Sequence, residues 1–169
     1  MLLNFNVFTK SLKDIDLKSV RIINTINPHS YCVTKKDKKF EDALKASDIL
    51  LPDGIGIVWA ENFLNKNTIQ KIAGFDIFRY LMKDLNSKKG IVFFLGASNE
   101  TLNKIRQKVA SEYPNVSFHC YSPPYKTEFS ETDCSNMCNM INVVKPNVLF
   151  VGMTAPKQEK WVHMNEHRI

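Results

Sequence analysis

An aspartate stands between a proline and a glycine in Leu51-Pro52-Asp53-Gly54, after a short apolar run and before an apolar helical pattern. A carboxylate at such a place has two uses. It can cap the helix that follows, since Asp is a favoured N-cap. It can also act as a general base if it reaches a proton within hydrogen-bond distance. Gly54 and Gly56 fall in the first turn of that helix, where glycine is a poor helix former. Their cost is explained if something must come close to the backbone. Three other stretches repeat the arrangement: Asn27-Pro28-His29-Ser30 following Thr25, Gly96-Ala97-Ser98-Asn99, and Gly152-Met153-Thr154-Ala155-Pro156-Lys157-Gln158-Glu159. Each is small or polar where an apolar run gives way to a helix, and together they can line one cleft.

The stretch around Gly96 fits an anion or nucleotide site. Glycine lets the backbone approach a ligand, and the following helix offers free N–H groups at the positive end of its dipole. It is neither the three-glycine dinucleotide fingerprint nor a Walker loop, which would end in Gly-Lys-Ser/Thr. The plainer reading is a tight turn at Gly96 with Ser98 or Asn99 as a cap. Lys157 lies in the first turn of a helix after Pro156. A cation opposes the dipole there, so it is better placed facing an anion. Glu159 suits the dipole and reads as a capping residue; Trp161 reads as core. His29 and His119 read as satisfied polar groups, and His163 and His167 as a surface face. Cys134 and Cys138 are four apart on one helix, yet no second Cys/His pair has zinc spacing, so no metal site is expected.

The elements that must hold these residues follow from the hydropathy pattern. Strands are expected at 20–26, 48–51, 90–96, 115–121 and 146–152, with a short one at 68–72. Helices are expected at 30–47 (one or two), 54–64, 75–88, 100–113, 130–144 with Ser130 as N-cap, and 157–169. Strands alternating with helices imply an α/β domain with a mostly parallel sheet and helices on both faces. Ligands of such sheets bind beyond the carboxyl ends of the strands, where the four polar stretches stand.

The 169 residues suit one domain, 1–169. Lys and Arg outnumber Asp and Glu by 23 to 17, a net +6, which favours anionic partners. The densest basic run, 35–39, is too short for a nucleic-acid arm, so no nucleic-acid partner is expected. The chain start lacks the pattern of a signal peptide, and no window approaches the roughly 20 apolar residues of a membrane span. A cytoplasmic protein with reduced thiols is the expectation.

Five blocks, INTINPHSY, ASDILLPDGIGIVWA, KIAGFDIFRYL, FFLGASNETLNKI and PNVLFVGMTAPKQEKW, occur in this order. The chain from about Arg21 to Trp161 thereby resembles the WecG/TagA/CpsF glycosyltransferases of bacteria. The resemblance implies a Rossmann-like core and an inverting, metal-independent transfer without a cofactor. A UDP-sugar is the donor substrate, carrying N-acetylmannosamine or its uronic acid. The acceptor is N-acetylglucosamine on undecaprenyl diphosphate, in the synthesis of teichoic acid or other cell-surface polysaccharides. It further implies that Asp53 is the base, and that Thr25, Asn27, Gly74, Asp76 and Gln158 match the family's motif residues. An inverting transfer also needs a stabilised diphosphate leaving group. The helix starts after Gly96 and Gly152, with Lys157, are the groups available for it, and Gly54 and Ala97 complete the expected substrate-binding set.

Family members continue with a G-x-x-FDF-x-x-G block and an Arg-rich C-terminal segment that closes over the site and reaches the membrane. That lid and membrane segment is expected to be absent here. Peripheral contact with the inner face of the cell membrane is expected mainly through it, and an edge left exposed would favour a homo-oligomer. Residues 121–126 also depart from the family, many of whose members carry a His-Gly-Tyr block there. The alternative reading is a catalytically incomplete UDP-sugar or nucleotide-binding α/β module. An oxidoreductase is disfavoured by the missing glycine fingerprint.

Overall fold

A computed structural model describes residues 4–18, 21–66 and 68–169. The chain divides into two compact units, Met1–Tyr80 and Leu81–Ile169. The first holds strands β1 (Ile23–Ile26) and β2 (Ile49–Pro52) and helices α1 (Pro28–Thr34), α2 (Lys38–Lys45) and α3 (Ile55–Asn65). Helix α4 (Gly74–Lys88) spans the division. The second unit holds β3 (Ile91–Gly96), α5 (Asn99–Glu112), β4 (Ser117–Tyr121), α6 (Glu131–Val144), β5 (Val148–Gly152) and α7 (Lys157–Asn165).

In the first unit β1 and β2 pair in parallel, Ile23 opposite Ile49 and Ile26 opposite Pro52. Val7 bridges Leu50 in parallel on the edge of β2 away from β1. Asp48 fixes the entry of β1, its carboxylate accepting from the N–H groups of Arg21 and Ile22 at 2.8 Å each. The expected helical span 30–47 is two helices, because Asp37 caps α2 by accepting from the N–H of Phe40. The core joins Phe5, Val7, Ile26, Phe40, Leu44, Leu50, Ile57, Val58 and Ile69.

In the second unit β3 lies between β4 and β5, all parallel. Phe93 and Leu95 face α6 and α7, packing with Cys134, Met137, Cys138, Ile141 and Trp161. On the other face Phe94 stacks on Phe118, and Arg106 of α5 lies over Phe118, 5.2 Å from the ring centre. Helices therefore cover both faces of this sheet, as alternation along β3 requires. Ser130 forms the expected N-cap of α6, within a capping box completed by Asp133.

The α/β, Rossmann-like architecture with parallel pairing agrees with the sequence, its strands shared between two small sheets. Three elements differ. Residues 68–72 form no strand; Ile69 N–H donates to Asn62 Oδ1 and Ile72 N–H to the Pro52 carbonyl, so single bonds replace a ladder. The last helix stops at Asn165 and tightens into a 3₁₀ turn, Glu166–Arg168. The first strand begins at Ile23, and Val20 of the expected span lies outside the described residues.

Candidate active site

The first unit brings Thr25, Asn27, Asp53 and Gly54 to the carboxyl ends of β1 and β2. Thr25 pairs with Leu51 in the ladder. Beyond it the Asp53 N–H donates to the Ile26 carbonyl at 2.9 Å, holding the two strand ends together. Asn27 caps α1: its Oδ1 accepts from the Ser30 N–H at 2.8 Å, and its own N–H donates to Ser30 Oγ at 2.8 Å.

Asp53 does not cap α3. The N-cap position is taken by Gly54, at φ 114°, and α3 starts with no side-chain cap. The half-buried Asp53 carboxylate has no hydrogen-bond partner among the described residues. Of the two uses open to it, capping is removed by the structure. An ionised carboxylate accepts only, through two oxygens, and neither has a donor among the described residues.

The glycines have a partner within the chain. A Cβ on Gly56 would stand 2.9 Å from Pro28 Cγ, and one on Gly54 3.3 Å from Pro28 Cδ. They let the first turn of α3 pack on the first turn of α1. Within the chain, what approaches the backbone at these glycines is Pro28. Gly74 and Asp76 stand at the start of α4, tied to this region where Ile72 N–H reaches the Pro52 carbonyl at 2.9 Å. Asp76 accepts from the Ala73 N–H at 2.8 Å, the carboxylate half of a capping box. Gly74 is exposed, with no atom within 4 Å of where a Cβ would be.

The second unit brings Gly96, Ala97 and Gly152 to the ends of β3 and β5, with Gly96 opposite Gly152. Gly96 has φ 110°, and a Cβ there would be 2.5 Å from the Gly152 carbonyl oxygen. Ala97 follows in the left-handed region, φ 65°, its carbonyl accepting from Ser122 Oγ at 2.7 Å. Ser98 caps α5 through the Thr101 N–H. Gly152 is exposed, with open space on its Cβ side.

Gln158 is drawn to the same strand end. Its Oε1 accepts from the Met153 N–H at 3.1 Å, and its Nε2 donates to Glu159 Oε1 at 2.9 Å. Lys157 is directed elsewhere. Its ammonium donates to the Lys126 carbonyl and lies 3.7 Å from the centre of the Phe129 ring. Trp161 is buried in the core, as expected.

Glu159 is the residue the sequence reading undervalued. It is 7% exposed, and its Oε2 has no hydrogen-bond partner among the described residues. Burial pushes its carboxyl up from the ordinary 4.5. As the third residue of α7 it looked like a dipole-stabilising cap, and only burial distinguishes the two roles.

Among the described residues no three His, Cys, Asp or Glu side chains cluster as metal ligands would. No described helix is long and apolar enough to cross a membrane. An open cavity of about 550 Å³ between Phe129, Cys134 and Arg168 holds none of the expected site residues.

Comparison with known proteins bears on the same residues. The chain is 34% identical over 153 residues to the N-acetylglucosaminyldiphosphoundecaprenol N-acetyl-beta-D-mannosaminyltransferase of Bacillus subtilis (strain 168), covering 90% of this chain and 58% of that protein. A protein of the same name from Staphylococcus aureus (strain NCTC 8325 / PS 47) is 26% identical over 146 residues, or 86% of this chain and 56% of its own length. The chain thus spans a little over half the length of the curated relatives it matches. The Glycosyl transferase WecG/TagA/CpsF family matches over residues 3–169, a span that takes in every strand end described above, and the chain belongs to that family.

Proposed function

We propose that this chain carries the core of an inverting, metal-independent glycosyltransferase working at the inner face of the bacterial membrane. The donor is a UDP-linked N-acetylmannosamine or its uronic acid. The acceptor is N-acetylglucosamine on undecaprenyl diphosphate, as the names of the relatives indicate for those proteins. The observation that carries the reading is the uncapped, half-buried Asp53 carboxylate at the paired ends of β1 and β2.

In this reading Asp53 takes the proton of the acceptor hydroxyl as that oxygen attacks C1 of the donor sugar. The new C1–O bond forms on the face opposite the diphosphate. The old C1–O bond breaks and UDP leaves with the electron pair, so the anomeric centre inverts. Exposed Gly152 leaves the backbone open to a nucleotide, and main-chain N–H groups serve the diphosphate.

A second reading, a nucleotide-binding module without turnover, is favoured by one observation: Lys157, the expected partner of the diphosphate, is engaged by Lys126 and Phe129. Calorimetric titration with UDP, alongside UDP release from a panel of UDP-N-acetylhexosamines with a soluble lipid-acceptor analogue, separates the two. Acceptor-dependent release with one donor supports the transferase. UDP binding without release supports the module. Neither binding nor release contradicts both.

A further inference from the structure

Helix α3 is apolar on the side where a surface helix should be polar. Its inner side carries Ile57 and Val58 in the core and Glu61 buried beside Asn65, whose amide donates to Glu61 Oε2 at 2.8 Å. Its outer side carries Ile55, Trp59 and Phe63, each four residues from the last, at 55%, 67% and 86% exposure. Side chains at this spacing lie one above another along a helix. Leu64 adds to the flank. One exposed apolar residue needs no explanation. A contiguous stripe with two aromatics is the mark of an interaction surface.

The charges in the stretch of chain that carries the stripe select its partner. Between Gly54 and Tyr80 the cations are Lys66, Lys71 and Arg79, all exposed. The acids in that span are Glu61, which is buried, and Asp76, which is bonded to the Ala73 N–H; the half-buried Asp53 stands just before it. Phe75 is exposed as well, with the Arg79 guanidinium 5.9 Å from its ring centre. A second copy docking through this face would set cation against cation. An anionic bilayer suits both features: its headgroup boundary takes Trp and Phe, and its phosphates take Lys and Arg.

We propose that the Ile55–Trp59–Phe63 face of α3 is the surface by which the protein rests on an anionic lipid bilayer. The assignment gains its purpose from the proposed lipid-linked acceptor, on which it rests. Ile55 follows Asp53 by two residues, so a docked α3 holds the base beside the plane where the acceptor's diphosphate lies.

The test uses the whole chain and vesicles without any undecaprenyl lipid. One set is phosphatidylcholine alone; the other is phosphatidylcholine and phosphatidylglycerol in equal parts. Binding is read by flotation and by quenching of Trp emission with brominated lipid. The chain has two tryptophans, and Trp161 is buried at 1%, so Trp59 is the reporter. Expected are binding to the anionic vesicles, quenching of Trp59, and binding weakened at least about tenfold in Trp59→Glu/Phe63→Glu. Trp59→Ser/Phe63→Ser, a milder pair at exposed positions, is expected to weaken binding with an unchanged melting curve. Unchanged binding in both double variants overturns the proposal. So does absence of vesicle binding together with a dimer, seen by sedimentation velocity, that either variant dissolves. Turnover on a soluble acceptor analogue is read separately. In the unsubstituted chain, absence of turnover with vesicle binding present counts against the transferase reading alone, and absence of vesicle binding with turnover present counts against the surface alone.

Discussion

At the scale of single residues, two neighbouring strand ends carry side chains that differ in their bonding: Asn27 caps a helix and Asp53 does not. Asn27 caps α1, its amide oxygen and backbone N–H both bonded to Ser30. Asn27→Ala should therefore cost about 1–2 kcal/mol in urea unfolding. Asp53 caps nothing, so Asp53→Ala should change stability by less than about 0.5 kcal/mol. A large loss in Asp53→Ala would mean that its carboxylate has a structural partner. Glu159 gives a prediction with a sign. Burial raises its pKa in the folded protein, so the folded state holds the proton more tightly than the unfolded chain. Its contribution favours folding in acid and is lost as pH rises from about 4.5 through the raised value. Glu159→Gln still accepts from Gln158 and carries no ionisable group. Its melting temperature should flatten with pH over that range and match or exceed the parent's at pH 7. A variant as pH-dependent as the parent would remove Glu159 as the cause.

At the scale of elements, the tightest steric demand is at the end of β3. Gly96 combines positive φ with a backbone oxygen 2.5 Å from any Cβ. Gly96→Ala should cost at least about 2 kcal/mol, measured by urea unfolding, and a cost below about 0.5 kcal/mol would contradict that geometry. The strand–helix alternation, the parallel pairing and the Ser130 cap were all legible, because each rests on a local pattern of residue types. What failed depended on partners distant in sequence. The segment 68–72 has the composition of a strand, yet its N–H groups find Asn62 and Pro52. The glycines of α3 advertised a close approach correctly, but nothing local identifies Pro28 as the visitor. The capping alternative for Asp53 turned on the φ of one glycine. Glu159 could not be separated from an ordinary helix-start carboxylate without knowing its burial.

At the scale of the whole molecule, the chain has a net charge of +6, an exposed apolar face on α3, and two units that each gather expected site residues at strand ends. It spans a little over half the length of the relatives it matches, so its own activity has to be measured on this chain and on a form extended to the relatives' length. In the proposed reaction the leaving group is stabilised without a metal ion, so turnover should be equal in excess EDTA and in Mg²⁺. Loss in EDTA restored by Mg²⁺ would contradict that part. The central claim is that Asp53 takes the acceptor proton, and one comparison addresses it most directly: kcat for acceptor-dependent UDP release by the parent and by Asp53→Asn, in whichever form turns over. Asn keeps the shape and removes the base. The account predicts that kcat falls about 10²- to 10⁴-fold while UDP affinity and stability hold; an Asn variant that keeps full turnover would contradict it.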